Sequence, residues 1–316
     1  MRVLVADSLD ASAVAALTAA GHACVVEPGL TADDLPQRVP GFDVLVVRST
    51  KVSAATLTAA DALRLVVRAG SGLNTIDRDT AAARRVAVAN VPGANAVAVA
   101  ELVFGLLLAL DRRIVDNVVA SRSGRWDKKA LSSSAQGLSG STLGIVGLGS
   151  IGRAVAKRAS AFDMSLRTVQ RPDASERTRE FVRRLGFALD DDLVSLAAHC
   201  DALTIHVPAG AETTGMVGRE VIAALRPGAV LVNTSRADVV DTEALLEALD
   251  ADRVRAGLDV FPDEPGAAPT EGWHSRLAAH RNVVATQHIG ASTAQAQRAV
   301  AQGVVDVIAA HASAVG

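Results

Sequence analysis

Leu143-Gly144-Ile145-Val146 runs directly into Gly147-Leu148-Gly149-Ser150-Ile151-Gly152, and a helical stretch over residues 153–162 follows. An apolar strand, a G-x-G-x-x-G turn and a helix, in that order, are the context in which a glycine run binds a dinucleotide. The first glycine permits the tight turn, the second lets the backbone approach a pyrophosphate, and the third lets the helix pack on the strand. Amides around Ser150, Ile151 and Gly152, at the helix N-terminus, then point at the phosphates. About 20 residues past the last glycine stands the group that meets the adenosine ribose. There the sequence has Gln170-Arg171-Pro172 instead of Asp or Glu. A guanidinium at Arg171 suits the 2′-phosphate of NADP or the face of the adenine, which favours NADP over NAD. Asp173, two residues on, is the acidic alternative if the loop bends.

The same rhythm extends to both sides. Upstream, apolar strands at 2–6, 23–27, 44–48, 65–68 and 87–89 alternate with Ala-rich helical stretches such as 11–20 and 54–62. Gly21 and Gly41 stand where a helix stops and a strand begins. An apolar helix at 96–110 and a polar linker at 121–141 lead to the second run. That run has strands at 143–146, 166–169, 202–206, 230–233, 254–258 and 283–286, then a helical tail near 293–312. Strands alternating with helices imply parallel sheet covered on both faces. The expected fold is therefore α/β, with two doubly wound parallel-sheet domains.

A length of 316 residues suits two domains rather than one. Hydrophobic residues make up 49% and aromatics only 3%, so the cores are built from Ala, Val and Leu, which let helices approach sheets closely. A formal charge of -2, spread along the chain, gives no nucleic-acid or membrane surface. The scarcity of aromatics also removes the stacking platforms of single-strand binders. No apolar run reaches the roughly 20 residues of a membrane helix. The N-terminal segment turns acidic too early for a signal peptide, so a cytoplasmic protein is expected. Cys24 and Cys200 lack metal-type spacing and read as buried, reduced thiols; no metal site is expected.

Three further polar segments close predicted strands: Asn233-Thr234-Ser235-Arg236, Leu258-Asp259-Val260-Phe261-Pro262-Asp263-Glu264-Pro265, and Thr286-Gln287-His288-Ile289-Gly290-Ala291-Ser292. Ligands of open α/β sheets sit outside the carboxyl ends of strands. An Arg, a carboxylate and a His there suit hydride transfer to a keto acid. The Arg binds a carboxylate bidentately and polarises the carbonyl, the His moves the proton, and the carboxylate orients the imidazole.

On these residues the chain resembles the D-isomer-specific 2-hydroxyacid dehydrogenases over nearly its whole length. The resemblance implies Arg236 as the substrate arginine, Glu264 as the acid assisting the histidine, and His288 as the acid/base. It also implies Asp259 at the nicotinamide carboxamide, with Thr234 and Ser235 lining that pocket. A Rossmann cofactor domain at 95–287 and a flavodoxin-like, discontinuous substrate domain from 1–94 and 288–316 follow from it. So does a homodimer involving the helix from Ala96.

Within the family, the segments Val47–Val52 and Val67–Asn74, and Trp126-Asp127-Lys128-Lys129, resemble the branch acting on 3-phosphoglycerate and phosphohydroxypyruvate. Ser71 and Gly72 offer amides to a carboxylate, and Arg48 and Arg68 offer charge to a phosphate or second carboxylate. An NADPH-dependent glyoxylate or hydroxypyruvate reductase is the alternative, motivated by Arg171. A nucleotide-sensing corepressor is the alternative of another class. Departures from the family pattern are Ala237-Asp238 after Arg236, Gln287 before His288, and Asn74-Thr75.

Overall fold

Runs of Val, Leu and Ala with no charge inside them can be buried on both faces, as a parallel sheet requires. The computed structural model, which describes residues 1–265 and 270–315, places them so. The chain divides into two units, Met1–Ala98 with the described residues from Ala291 onward, and Val99–Gly290. Both joins lie a few residues beyond those read from the sequence.

The first unit opens with β1 (Arg2–Val5), α1 (Ala11–Ala19), β2 (Ala23–Val26), α2 (Leu35–Arg38) and β3 (Val44–Val47). It continues with α3 (Ala54–Ala59), β4 (Leu65–Arg68), α4 (Arg78–Ala83) and β5 (Ala87–Asn90). Its five strands are all parallel, in the order β2-β1-β3-β4-β5. That is the flavodoxin-like order. Next come α5 (Ala96–Asp111), α6 (Ile114–Arg122) and α7 (Lys128–Ser132), of which the last lies inside the stretch read as a polar linker.

The second sheet begins with β6 (Thr142–Val146), α8 (Ser150–Ala161), β7 (Ser165–Val169), α9 (Glu176–Arg184) and β8 (Ala188–Asp190). It continues through α10 (Leu193–Ala198), β9 (Ala202–Ile205), α11 (Arg219–Ala224) and β10 (Ala229–Asn233). It ends with α12 (Thr242–Asp250), β11 (Val254–Leu258) and β12 (Val283–Ala285). Seven parallel strands run β12-β11-β10-β9-β6-β7-β8, so the strand order reverses between β6 and β9. Finally α13 (Ala294–Val315) returns to the first unit, where Val304 and Ile308 pack with Val3, Val5 and Val67.

Local chemistry fixes these ends. Asp10, Ser53, Asp77, Ser175, Asp192 and Asp241 each cap a following helix through the side chain. Each cap is worth about 1 kcal/mol. Small residues let helices press on sheets, as the composition implied: a Cβ on Gly257 of β11 would lie 2.9 Å from Leu106 Cβ of α5. Both cysteines are free thiols, but Cys24 is only half-buried because β2 is an edge strand. Cys200 is fully buried, and desolvation pushes its thiol up to about 12.

One polar network lies inside the second unit. The Asp190 side chain, 1% exposed, takes two bonds from Arg167 (2.9 and 2.8 Å), one from Ser195 Oγ (3.1 Å), and meets His199 Nδ1 at 2.8 Å. The Arg167 guanidinium, against the cost of burial, draws its pKa from 3.8 down to about 2. A depressed carboxylate stabilises the fold above its unfolded pKa, and that contribution disappears as pH falls through the folded value. The shift corresponds to about 2 kcal/mol, present above pH 4 or so and lost towards pH 2. Asp190→Asn is expected to lower the unfolding free energy by about 3 kcal/mol at neutral pH, because Arg167 is left half-buried and unpaired. Urea denaturation measures this, and a loss below about 0.5 kcal/mol would show the network to be no more than a surface contact.

Candidate active site

The glycine turn has the three spatial properties its sequence predicted. Gly147 has φ +94°, and a Cβ there would lie 2.7 Å from the His206 carbonyl oxygen. A Cβ on Gly152 would fall 1.9 Å from the Gly147 carbonyl, so only glycine lets α8 start this close to β6. Around Gly149 nothing comes within 4 Å of where a Cβ would be, which leaves the backbone open to a ligand. Gly149 caps α8 without a side-chain bond, so the first amides of a twelve-residue helix have no competing cap. Arg153 braces the turn through Leu148 O at 2.9 Å. On the neighbouring strand end, Thr234 Oγ1 is buried and has no partner among the described residues. An open cradle for a pyrophosphate and an orphaned buried hydroxyl fit a nicotinamide dinucleotide. After β7, Arg171 Nε and Nη2 pair with Asp173 at 3.2 and 2.8 Å, and both groups are exposed.

Because β12, β11 and β10 are neighbours, with Asn233, Leu258 and Ala285 in register, the three polar segments leave one edge of the sheet side by side. Asn233 shapes the first segment. Its Oδ1 accepts from Ser235 N (3.0 Å) and Oγ (2.7 Å), and its Nδ2 donates to the Arg236 carbonyl (2.8 Å). Arg236, thus held at the backbone, donates from Nη1 to Ser235 O at 2.6 Å. Among the described residues its Nε and Nη2 have no protein acceptor, which leaves an edge of the shape that can take a carboxylate with two bonds.

Asp259, 1% exposed, binds the third segment. Its Oδ1 accepts from Thr286 Oγ1 (2.6 Å) and Ile289 N (2.9 Å), and its Oδ2 from Gly290 N (2.9 Å). These bonds bracket His288, which sits at φ +52°. A left-handed backbone at a non-glycine residue costs on the order of 1–3 kcal/mol and persists only where the surroundings over-determine it. Here Asp259 supplies the constraint from both sides. His288 Nδ1 meets Glu264 Oε2 at 2.7 Å, and Glu264 Oε1 accepts from Phe261 N at 2.8 Å. With Nδ1–H given to a carboxylate, Nε2 is the nitrogen left for a reactant. The imidazole is half-exposed, open to a ligand.

The first unit holds its own cluster. Arg48, at the end of β3, donates from Nη1 to Gln297 Oε1 at 3.2 Å. Arg68, at the end of β4, donates from Nε to the Arg48 carbonyl at 3.0 Å and lies so close over Gly70 that a Cβ there would come within 2.2 Å of its Nη1. Ser71 is tethered through its carbonyl to Asn90 Nδ2 (2.5 Å) and through Oγ to Asn95 (3.3 Å). No acceptor among the described residues takes the Ser71 or Gly72 amide. The sequence reading quoted Asn233 without giving it a role, and it missed Asn90, Gln297 and Asp7, a carboxylate discussed below. Lone amides and acids carry no pattern: Asn233, Asn90 and Asp7 could have been raised only by their place at a strand end, and Gln297, on α13, by nothing in the sequence.

Comparison with known proteins agrees with this chemistry. Residues 104–290 match the family model described as D-isomer specific 2-hydroxyacid dehydrogenase, NAD binding domain. The chain belongs to that family. It is an NAD(P)-dependent dehydrogenase acting on the CH–OH group of small 2-hydroxy acids. It is 42% identical over 309 residues to a hydroxypyruvate reductase of Thermotoga maritima, covering 97% of each chain. It is 37% identical over 310 residues to D-3-phosphoglycerate dehydrogenase of Methanocaldococcus jannaschii, covering 98% of this chain and 57% of that protein. The chain thus spans little more than half the length of that relative. Among solved structures it resembles the holo form of Rhodotorula graminis D-mandelate dehydrogenase, with TM-score 0.84, 26% identity and coverage of 95% and 91%. No helix among the described residues is long and apolar enough to cross a membrane.

Proposed function

We propose that this dehydrogenase interconverts 3-phosphoglycerate and phosphohydroxypyruvate. One observation carries the reading: two arginines, Arg48 and Arg68, close adjacent strands of the first unit, near the Ser71 and Gly72 amides, which have no acceptor among the described residues. A substrate with a carboxylate at one end and a phosphate at the other needs two separate anion contacts. Arg236 is assigned to a carboxylate; in the first unit the Ser71 and Gly72 amides are assigned to a carboxylate, and Arg48 and Arg68 to the phosphate. The first unit is in this reading the substrate-binding domain. His288 Nε2 gives the proton to the developing alkoxide or removes it in reverse, while Glu264 keeps the ring oriented. The glycine turn and the start of α8, from Gly147 to Gly152, hold the pyrophosphate. Thr234 Oγ1 and Asp259 Oδ2, which among the described residues accepts one amide, hold the carboxamide, with Ser235 lining the pocket. The dihydronicotinamide supplies the hydride when bound.

A second reading, reduction of unphosphorylated hydroxypyruvate, is favoured by the relative that this chain matches from end to end. Steady-state rates with phosphohydroxypyruvate beside hydroxypyruvate separate the two. The first reading expects kcat/KM at least tenfold higher for the phosphorylated acid; parity or reversal selects the second.

The same assay with NADPH and NADH tests Arg171. Its guanidinium is assigned to the 2′-phosphate, which favours NADP. Asp173, paired with it, repels that phosphate and keeps the preference modest. Asp173→Ala is expected to raise the NADPH/NADH ratio of kcat/KM several-fold, and Arg171→Ala to reverse it. Equal ratios in all three proteins would remove both residues from cofactor choice.

A homodimer is assigned to the apolar face of α6. Ile114, Val115, Val118 and Val119 are all exposed there, Val119 by 55%, and Trp126 beyond them is 90% exposed. Val119→Asp is expected to shift the sedimentation of the protein from dimer to monomer. A wild-type protein that already sediments as a monomer would rule this interface out.

A further inference from the structure

The order of the first sheet reverses between β1 and β3, and in doubly wound sheets ligands bind at the carboxyl ends where such a reversal opens a crevice. Here one side chain spans that point. Asp7, two residues past β1, reaches the three residues that follow β3. Its Oδ2 accepts from Arg48 N (2.7 Å), Thr50 N (3.0 Å) and Ser49 N (3.1 Å), and its Oδ1 from Ser49 Oγ (3.0 Å). Three consecutive amides converging on one oxygen form an anion nest. The anion that fills it is the chain's own carboxylate.

Half-burial alone would raise the Asp7 pKa, yet these bonds together hold it below the usual carboxylate range. On the other side of the same loop, Arg68 Nε holds the Arg48 carbonyl. The Arg48 peptide is therefore gripped at both its N–H and its C=O, by groups from two different strands. Thr50 Oγ1 adds a bond to Leu30 O at 3.2 Å, which ties the loop to the segment after β2. A backbone fixed at so many points is more order than a surface loop needs for stability alone. It suits a loop whose side chain must meet a ligand at a set distance.

We propose that Asp7 is a positioning residue for substrate binding. By filling the amide nest of Arg48-Ser49-Thr50, it fixes the backbone from which Arg48 reaches the distal anion of the keto acid. Occupation of the nest also directs that anion to the guanidinium and away from the amides. The inference rests on Arg48 as a distal-anion contact, so the test includes Arg48 itself.

Asp7→Asn keeps the side-chain shape but replaces the charged acceptor of three amides by a neutral carbonyl oxygen. With saturating NADPH and phosphohydroxypyruvate as the varied substrate, KM is expected to rise about 10- to 100-fold, the range expected for losing bonds to a charged acceptor. The rate kcat is expected to stay within about twofold, since Asp7 touches no reacting atom, and NADPH affinity by fluorescence titration is expected to stay unchanged. A merely structural role would lower the melting temperature without splitting KM from kcat. Arg48→Gln is measured in parallel. A raised KM in Arg48→Gln with an unchanged KM in Asp7→Asn overturns the positioning role and leaves the substrate reading intact. An unchanged KM in Arg48→Gln overturns the substrate reading, and the role of Asp7 with it. If Asp7→Asn does not fold, Asp7→Glu carries the same test, because it keeps the charge but displaces it by one methylene. A several-fold rise in KM at constant kcat supports the proposal, and no rise overturns it.

Discussion

Replacing His288 with Asn is expected to lower kcat for keto-acid reduction by about a thousandfold, within the range for losing a positioned general acid. Asparagine is the informative replacement because His288 occupies φ +52°, where most residues are strained and Asn is among the few that tolerate it. The loop should therefore keep the bonds from Ile289 and Gly290 to Asp259, and the change removes the proton carrier alone. Affinity for the dinucleotide, measured by fluorescence, should stay within about twofold. A variant that kept its kcat would show that solvent delivers the proton, and the assignment of His288 would fail. Alanine at the same place would mix two effects, the lost imidazole and a strained backbone, and could not separate them.

This distinction could not be drawn from sequence. The segment 286–290 identifies a histidine after a strand, but nothing in it says that the backbone there is left-handed or that Asp259 holds it so. The reason is general to the molecule. The strands were legible because burial on both faces demands uncharged runs rich in Val, Leu and Ala, as in Val44–Val47. The glycine turn was legible because each of its three glycines answers a different steric demand. By contrast β8 is three residues long, with Leu189 exposed and Asp190 buried, which inverts the pattern on which strand reading depends. The short helix α7 was hidden in a polar linker because its residues are exposed and give no apolar stripe. Arg171 was legible as a cation about 20 residues past the last glycine of the turn, but its pairing with Asp173 depends on how a loop bends. Asp7 sits forty-one residues from the amide it accepts at Arg48, and only the sheet order brings the two together. What the sequence carried well were demands made on neighbours along the chain; what it hid were bonds across it.

The largest remaining effect is expected at Arg236, where geometry and charge can be separated. Asn233 holds the backbone on either side of Arg236, and Ser235 O takes one of its terminal nitrogens, so the Nε–Nη2 edge is presented in a fixed direction. Arg236→Lys keeps the positive charge but loses the fork, because an ammonium is a single point donor. Its kcat/KM for the keto acid should fall by about 10²- to 10³-fold, comparable to removing one preorganised donor from a developing oxyanion. Arg236→Gln removes the charge as well and should fall further, by at least another tenfold. If the two variants fell equally, the planar fork would carry the whole effect and the net charge would be incidental. If lysine restored nearly full activity, the arginine would act at long range, and direct two-point binding of the substrate carboxylate would be wrong. Since the Asn233 turn depends only on backbone atoms of Arg236 and on Ser235, both variants should keep it intact, and unfolding midpoints close to wild type would confirm that the losses belong to chemistry and not to the fold.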